Sequence, residues 1–251
     1  MNPGNPLDST LVTGAGGGIG SAVARKLARG GARLALLHRS TRPDELLADL
    51  GDSVVVSEAC DLTDADAVAA FVERLTSRHG DIRTVVHAAG PHVPMVHLSK
   101  ISPHTFAEQM RQDVDAFFNL AHSVLPSLRR TSGSLTVVTT AATTRYPVRD
   151  GLSAAPKGAV EALARGLAAE EGRFGVRVNC VGPGMLDDGM SARLMASGDL
   201  DERALDVARS NIPLRRFGSS IDIAEAVAYL ASDAAGFVTG QKLDVDGGYG
   251  I

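Results

Sequence analysis

Short apolar runs rich in β-branched residues alternate along this chain with longer stretches whose apolar positions recur every three or four residues. Thr10-Leu11-Val12 is the first short run and ends in a glycine-rich turn. Beyond the turn, Ile19, Val23 and Leu27 stand four apart, which lays one apolar stripe along a helix. Gly30-Gly31 then stops it. Arg33-Leu34-Ala35-Leu36-Leu37 and Val54-Val55-Val56 read as the second and third strands, and 64–77 as an amphipathic helix with Val68, Phe71, Val72 and Leu75 inward. Thr84-Val85-Val86-His87 is the fourth strand. The segment 103–128 reads as one long helix that ends near Pro126. Leu135-Thr136-Val137-Val138-Thr139 is the fifth strand, 153–171 an alanine-rich helix, and Val176-Arg177-Val178-Asn179-Cys180-Val181 the sixth strand. A helix over 222–230 and a last strand, Lys242-Leu243-Asp244-Val245, complete the alternation. Strands and helices in this order predict an α/β fold: one doubly wound domain, with a parallel sheet of about seven strands and helices on both faces.

The 251 residues, 44% of them hydrophobic, suffice for one large core, and no linker divides them. Residues 1–8 read as a flexible lead-in without a signal stretch. The segment 185–215 breaks the rhythm, with Met185, Met190 and Gly198 in a mixed pattern. A connection this long usually covers a site, and it is read as a substrate lid. A formal charge of −4 with mixed signs gives no nucleic-acid surface. No apolar run approaches the roughly 20 residues that span a bilayer. Cys60 and Cys180 lie far apart without metal-type spacing; two buried free thiols in a reducing cytoplasm are the expectation, and no metal site is read.

The chemistry starts at Thr13-Gly14-Ala15-Gly16-Gly17-Gly18-Ile19-Gly20, between first strand and first helix. Glycines let the backbone approach a pyrophosphate, and the helix N-terminus supplies free N–H groups and partial positive charge. Placement after a strand and before a helix makes this a nucleotide site. At the end of the second strand, Leu37-His38-Arg39-Ser40 lacks the carboxylate that would bind a ribose 2′-hydroxyl. Arg39 and Ser40 suit a 2′-phosphate instead, which favours NADP(H) over NAD(H).

The glycine turn resembles the TGxxxGxG signature of the short-chain dehydrogenase/reductase family, with its Rossmann fold, and the resemblance runs the length of the chain. Asp61-Leu62 is similar to the family's adenine-contacting pair. His87-Ala88-Ala89-Gly90 is similar to its NNAG turn, with both asparagines replaced. Asn179-Cys180-Val181-Gly182-Pro183-Gly184 resembles the NxVxPG segment beside the nicotinamide. Thr239-Gly240-Gln241 and Asp244-Val245-Asp246-Gly247-Gly248-Tyr249 resemble its C-terminal motifs. Within the family the chain resembles the 3-oxoacyl-ACP reductases. The resemblance implies cofactor contacts at Gly14, Gly16, Gly17, Gly18, Ile19, Gly20, Arg39, Ser40, Asp61, Leu62, Ala88, Ala89, Gly90, Lys157, Pro183 and Gly184. It also implies a catalytic group of Asn, Ser, Tyr and Lys. Lys157 stands at the lysine position, Thr140 at the serine position, Asp113 at the asparagine position and Ser153 at the tyrosine position. Asp188 stands where a threonine is usual near the nicotinamide, and a carboxylate there would be repelled by the pyrophosphate unless it turns outward.

Ser153 decides the functional reading, because an aliphatic hydroxyl is a far weaker acid than a phenol. In a first reading the chain is an NADP(H)-dependent oxidoreductase acting on a carbonyl or enoyl, including thioester-linked, substrate. Its proton would come from a non-standard donor: Tyr146, His92, His97, or a water held by Ser153, Thr140 and Lys157. The 2,4-dienoyl-CoA reductases of this superfamily carry a similar Ser-x-x-x-Lys, although Ala142 occupies the place of their tyrosine. In a second reading the fold binds cofactor or partner without turnover. In a third it performs dehydration or isomerisation with Asp113 or Asp188 as base. The first ranks ahead, since the cofactor framework is complete and Lys157 and Thr140 keep the family spacing. The helices 103–128 and 153–171 resemble the family's dimer-forming pair, and Ala155, Ala159, Ala162 and Ala169 permit close helix approach. A cytoplasmic homodimer or homotetramer with a small-molecule substrate, and no membrane or nucleic-acid partner, is expected.

Overall fold

The alternation of side chains along each strand explains how the sheet buries both faces. In β1 (Ser9–Thr13) Leu11 joins one apolar cluster and Val12 the other. In β2 (Leu34–His38) Ala35 and Leu37 go to the first, Leu34 and Leu36 to the second. In β4 (Ile82–His87) Val85 and Val86 divide in the same way. Period-two alternation with both sets apolar is what a sheet covered by helices on each side requires. The computed structural model describes residues 9–91, 93–188 and 202–251. Its sheet is parallel in the order β3-β2-β1-β4-β5-β6-β7, with β3 (Val54–Ala59), β5 (Ser134–Val138), β6 (Arg177–Pro183) and β7 (Lys242–Val245). Register is set by Val12 opposite Leu36 on one side and Val86 on the other.

On one face pack α3 (Ala65–His79), α5 (Ala116–Thr131) and α6 (Gly151–Glu171). On the other lie α1 (Gly18–Arg29), α2 (Asp44–Leu50) and α8 (Ser220–Ala231). Helix α4 (Pro103–Met110) precedes α5, and α7 (Glu202–Ser210) precedes α8. In α3 the four residues expected inward, Val68, Phe71, Val72 and Leu75, are buried, and Asp64 caps the helix by accepting from Ala67 N–H. The chain order reverses between β1 and β4. Their carboxyl ends therefore open the crevice in which such sheets take their ligands.

The structure departs from the sequence pattern in three places. Helix α2 is short, with only Leu46 and Leu50 buried, too few positions to show a period. The expected helix over 103–128 contains a π turn at Arg111–Asp115 and runs through Pro126 to Thr131. Pro126 is exposed, so the carbonyl it leaves without a partner faces water. Beyond it, buried Leu128 and the Arg129–Glu171 and Arg130–Asp81 pairs hold the last turn. Within the 185–215 segment, 185–188 is zipped to 217–220 through Asp187 N–H to Gly218 O and Gly218 N–H to Met185 O, and Glu202–Ser210 forms the regular helix α7. The expected lead-in 1–8, His92, and the lid positions 189–201, including Met190 and Gly198, lie outside the described residues.

Candidate active site

The glycine turn has the geometry that phosphate binding requires. Gly14 has φ +73°, and a Cβ there would meet the backbone of Ala88 at 2.5 Å. At Gly20 a Cβ would collide with the Gly14 carbonyl. These two positions let α1 begin directly against the turn and against the loop after β4. The N-cap of α1 is Gly17; no side chain caps it, and no acidic residue sits in the first turn. Gly16, Gly17 and Gly18 are exposed. Free N–H groups and an uncompensated positive helix end therefore face the crevice, a fit for a dinucleotide pyrophosphate.

The flanks of this turn are equally shaped. Arg39 and Ser40 are exposed at the end of β2, and a Cβ at Gly16 would lie 3.7 Å from the Thr41 carbonyl, so the 39–41 segment borders the turn. The Asp61 carboxylate accepts from Thr63 N–H at 2.9 Å and from the Thr63 hydroxyl at 2.8 Å, bonds that hold it below the usual carboxylate range. Asn119 Nδ2 donates to Leu62 O and fixes that backbone. Ala88 N–H donates to Thr13 O, carrying β1–β4 pairing into the loop of Ala88, Ala89 and Gly90. Beside it His87 is fully enclosed, with Nδ1 2.9 Å from Thr13 Oγ1 and its ring against Phe117. Burial, and secondarily the Lys157 charge, lower its pKa to about 3, so it is a neutral buttress under the loop. Gly184 N–H donates to Val245 O, and Asn179 bridges Val238 O and Gln241 N–H, which ties the Pro183-Gly184 segment to the C-terminal motifs.

The expected catalytic residues come from three elements. Asp113 lies in the π turn, 1% exposed. Its Oδ1 is 2.6 Å from Lys157 Nζ, whose side chain is 14% exposed. Gln109 Nε2 donates to Asp113 Oδ2 at 2.7 Å. A π turn widens the helix by one residue and is frequent at functional sites; here it aims the carboxylate across at α6. A Cβ at Gly90 would lie 3.3 Å from the ammonium, so the loop after β4 closes over this pair. Thr140 Oγ1 accepts from Ala142 N–H at 3.1 Å. Its loop is held by Thr143, which donates to Glu161, and by Lys242, which pairs with Glu161 and Asp244. Ser153 lies one turn before Lys157 on α6, partly exposed like Lys157, while Leu152, Ala154 and Pro156 around them are buried.

Other expected residues are not brought in. Tyr146 is 51% exposed and makes no hydrogen bond to a described residue. His97 is exposed at the head of the turn Leu98–Lys100. Asp188 turns away from the crevice. Its carboxylate accepts from Ser220 N–H at 2.9 and 3.1 Å and from the Ser220 hydroxyl at 3.0 Å, at the start of α8. Asp188→Ala is accordingly expected to cost about 2 kcal/mol of stability, as the buried Ser220 N–H loses a charged acceptor. Cofactor affinity should stay within about twofold. Urea unfolding and fluorescence titration check the two, and a tenfold loss of affinity would return Asp188 to the cofactor. Sequence reasoning missed Gln109, for which the signal was helical spacing, four before Asp113.

Among the described residues no group of His, Cys, Asp or Glu is arranged to hold a metal, and no helix is long and apolar enough to cross a membrane. Cys60 and Cys180 are free and buried, and burial pushes the Cys180 thiol up to about 12, which makes it inert.

Comparison with known proteins places nearly the whole chain in one family. Residues 14–250 match the family described as Enoyl-(Acyl carrier protein) reductase. The chain is 32% identical over 239 residues to L-fucose dehydrogenase of Oryctolagus cuniculus, covering 95% of this chain and 83% of that protein. It is 32% identical over 248 residues to a peroxisomal 2,4-dienoyl-CoA reductase of Saccharomyces cerevisiae, covering 95% and 82%. A solved short-chain type dehydrogenase/reductase from Mycobacterium ulcerans superposes with TM-score 0.88 at 29% identity, over 97% of this chain and 90% of that one. With the glycine turn, the parallel sheet and this identity along nearly its whole length, the chain belongs to the short-chain dehydrogenase/reductase family of oxidoreductases, which use nicotinamide cofactors.

Proposed function

We propose that the protein is an NADP(H)-dependent oxidoreductase acting on a carbonyl or enoyl substrate, thioesters included, and that Ser153 leaves it with a non-standard proton donor. The observation that carries this reading is the position of the Lys157 ammonium, partly exposed on α6 and against Gly90 of the loop that borders the glycine turn. A bound reduced nicotinamide would supply the hydride. Lys157 binds and orients the cofactor ribose, Thr140 donates a hydrogen bond to the substrate oxygen, and Asp113 with Gln109 fixes where the ammonium stands. The test is titration with NADPH and NADH, followed by a panel of ketones, aldehydes and enoyl thioesters. Binding without turnover on any panel member overturns the reading.

The preference for NADP(H) is supported by an exposed guanidinium and hydroxyl at the end of β2, with no carboxylate among Leu37-His38-Arg39-Ser40. A charge-assisted hydrogen bond is worth roughly 1.5–3 kcal/mol, and about 1.4 kcal/mol is tenfold in affinity. Arg39→Ala is therefore expected to weaken NADPH binding at least tenfold and to leave NADH binding within twofold. Equal losses for both would remove the 2′-phosphate role. One observation favours a second reading, a cofactor-binding protein without turnover: the Asp113 carboxylate neutralises the ammonium that would otherwise acidify a neighbouring donor.

Assembly as a homodimer or homotetramer is part of the same proposal. Ala155, Ala162 and Ala169 are exposed on α6, Ala159 is half-buried, and a Cβ at Gly166 would meet nothing within 4 Å. Such a face leaves room for a second helix, and half-exposed Phe118 on α5 adds an apolar side chain outside the core. A cytoplasmic location fits the two free buried thiols.

A further inference from the structure

The last strand reaches the candidate active site across its neighbour. β7 lies at the edge of the sheet, two strands from β5, yet its side chains touch the turn that follows β5. Gly182 of β6 stands opposite Asp244 in the register and makes the crossing possible. A Cβ there would collide with Asp244 Oδ1, and would lie 2.7 Å from Lys242 Cε and 3.2 Å from the Thr140 carbonyl carbon. Over that glycine the Lys242 ammonium donates to two neighbouring hydroxyls, Thr143 Oγ1 at 2.5 Å and Thr144 Oγ1 at 3.0 Å. A carboxylate backs each hydroxyl: Thr143 donates to Glu161 of α6 at 2.9 Å, and Thr144 to Asp244 Oδ2 at 2.6 Å. Asp244 Oδ1, which no hydrogen bond reaches, faces the ammonium at 3.0 Å, and Glu161 Oε1 faces it at 3.4 Å. The side chains of Lys242, Glu161 and Asp244 are 18, 13 and 22% exposed, so water screens them weakly.

This grip lies beside the one hydroxyl that the proposed chemistry takes from the end of β5. Thr140 caps the turn Ala141–Thr143, and its Oγ1 accepts from Ala142 N–H, so its rotamer follows the turn. The Thr143 hydroxyl also lies within donating distance of the Thr140 carbonyl, at 3.2 Å. A shift of 143–144 therefore reaches Thr140 through its backbone and its side chain alike.

We infer that Lys242 is a positioning residue for the reaction: with Glu161 and Asp244 it clamps Thr143 and Thr144, and so sets where the Thr140 hydroxyl meets the substrate oxygen. This rests on the oxidoreductase reading, in which Thr140 is the donor to that oxygen. Taking charges out of water is costly, and apolar side chains of the same volume are often at least as stable. The return of the clamp is therefore in geometry. A hydroxyl stabilises charge developing on oxygen only when it stands about 2.7–3.1 Å from where that oxygen will be. Lys242 itself touches neither substrate nor cofactor in this scheme.

Lys242→Met removes the ammonium and keeps a long unbranched side chain. A misplacement of 1 Å can cost about 100-fold, and a partial one about tenfold. With the full-length chain, NADPH and the best panel substrate, kcat is expected to fall about tenfold, with NADPH affinity within twofold. The single variant leaves two carboxylates facing each other. Lys242→Met with Glu161→Gln restores the wild-type excess of one carboxylate and keeps an acceptor for Thr143; it should melt close to wild type and show the same loss in kcat. Thr140→Ala then separates positioning from support of the fold. Removing such a donor typically costs about 100-fold or more in kcat. Lys242→Met should add no further loss in that background, because the hydroxyl it positions is gone. A purely structural lysine would cost the same factor in both backgrounds. An unchanged kcat in the charge-compensated variant, or an undiminished loss on top of Thr140→Ala, overturns the inference and leaves the oxidoreductase reading standing. So does a Thr140→Ala variant as fast as wild type, which would leave no donor to position. Wild-type protein that binds NADPH and reduces nothing overturns both.

Discussion

Lys157→Ala is expected to destabilise the protein as well as silence it. In most surface settings removing a lysine costs little. Here it would strand Asp113, which is 1% exposed and whose Oδ1 faces the ammonium at 2.6 Å. Breaking one side of a buried pair typically costs about 3–5 kcal/mol, because the remaining charge has lost both water and partner. For a chain of this size each kcal/mol shifts Tm by roughly 2–4 °C, so a fall on the order of 10 °C is expected. Gln109 still donates to the other carboxylate oxygen and recovers only part of that loss. NADPH affinity and turnover should fall together, since the same ammonium is placed against Gly90 at the cofactor loop. Calorimetry and fluorescence titration separate the two effects. Adding Asp113→Ala to Lys157→Ala removes the stranded charge and should recover most of the melting temperature, with no recovery of cofactor affinity or activity. A single variant that changes neither stability nor binding would place the functional centre elsewhere in the fold.

That experiment separates a structural ion pair from a working one, and the sequence could not. The strands and the glycine turn were legible because their information is local. Alternation in β1, β2 and β4 spans five or six residues, and the turn's constraint, Gly14 at φ +73° and Gly20 against Gly14, lies within seven. The motif resemblance placed Thr140 at the end of the fifth strand and Ser153 with Lys157 on the alanine-rich helix; in the structure Thr140 follows β5, and Ser153 and Lys157 lie one turn apart on α6. What was not legible depends on approach between distant segments. The motif resemblance set Asp113 and Lys157 in one catalytic group, but not that the carboxylate, carried by a π turn 44 positions earlier, would pair with the ammonium at 2.6 Å. That Asp188 turns outward, one of the two outcomes its position allows, follows from the pairing of 185–188 with 217–220, where Ser220 N–H and hydroxyl donate to the carboxylate.

Ser153→Tyr is expected to raise ketone reduction, and the size of the gain measures how far Asp113 has altered the site. A phenol one turn before Lys157 shares its helical face, and a nearby ammonium lowers a phenol's pKa toward the operating range. General acid catalysis is typically worth roughly 10²–10⁴-fold. The single substitution should fall short of that, because the ammonium is already paired at 2.6 Å and offers a partly cancelled charge. Asp113→Asn in the same chain keeps a hydrogen-bonding side chain of the same shape and releases the full charge, so the gain of the double variant over wild type should exceed the product of the two single gains. Steady-state kcat on the ketone panel is the readout, with NADPH affinity as the control that the site has stayed formed. If the double variant binds NADPH and is no faster than wild type, the limit lies at the Thr140 hydroxyl, and Thr140→Ser tests it by restoring the less crowded donor.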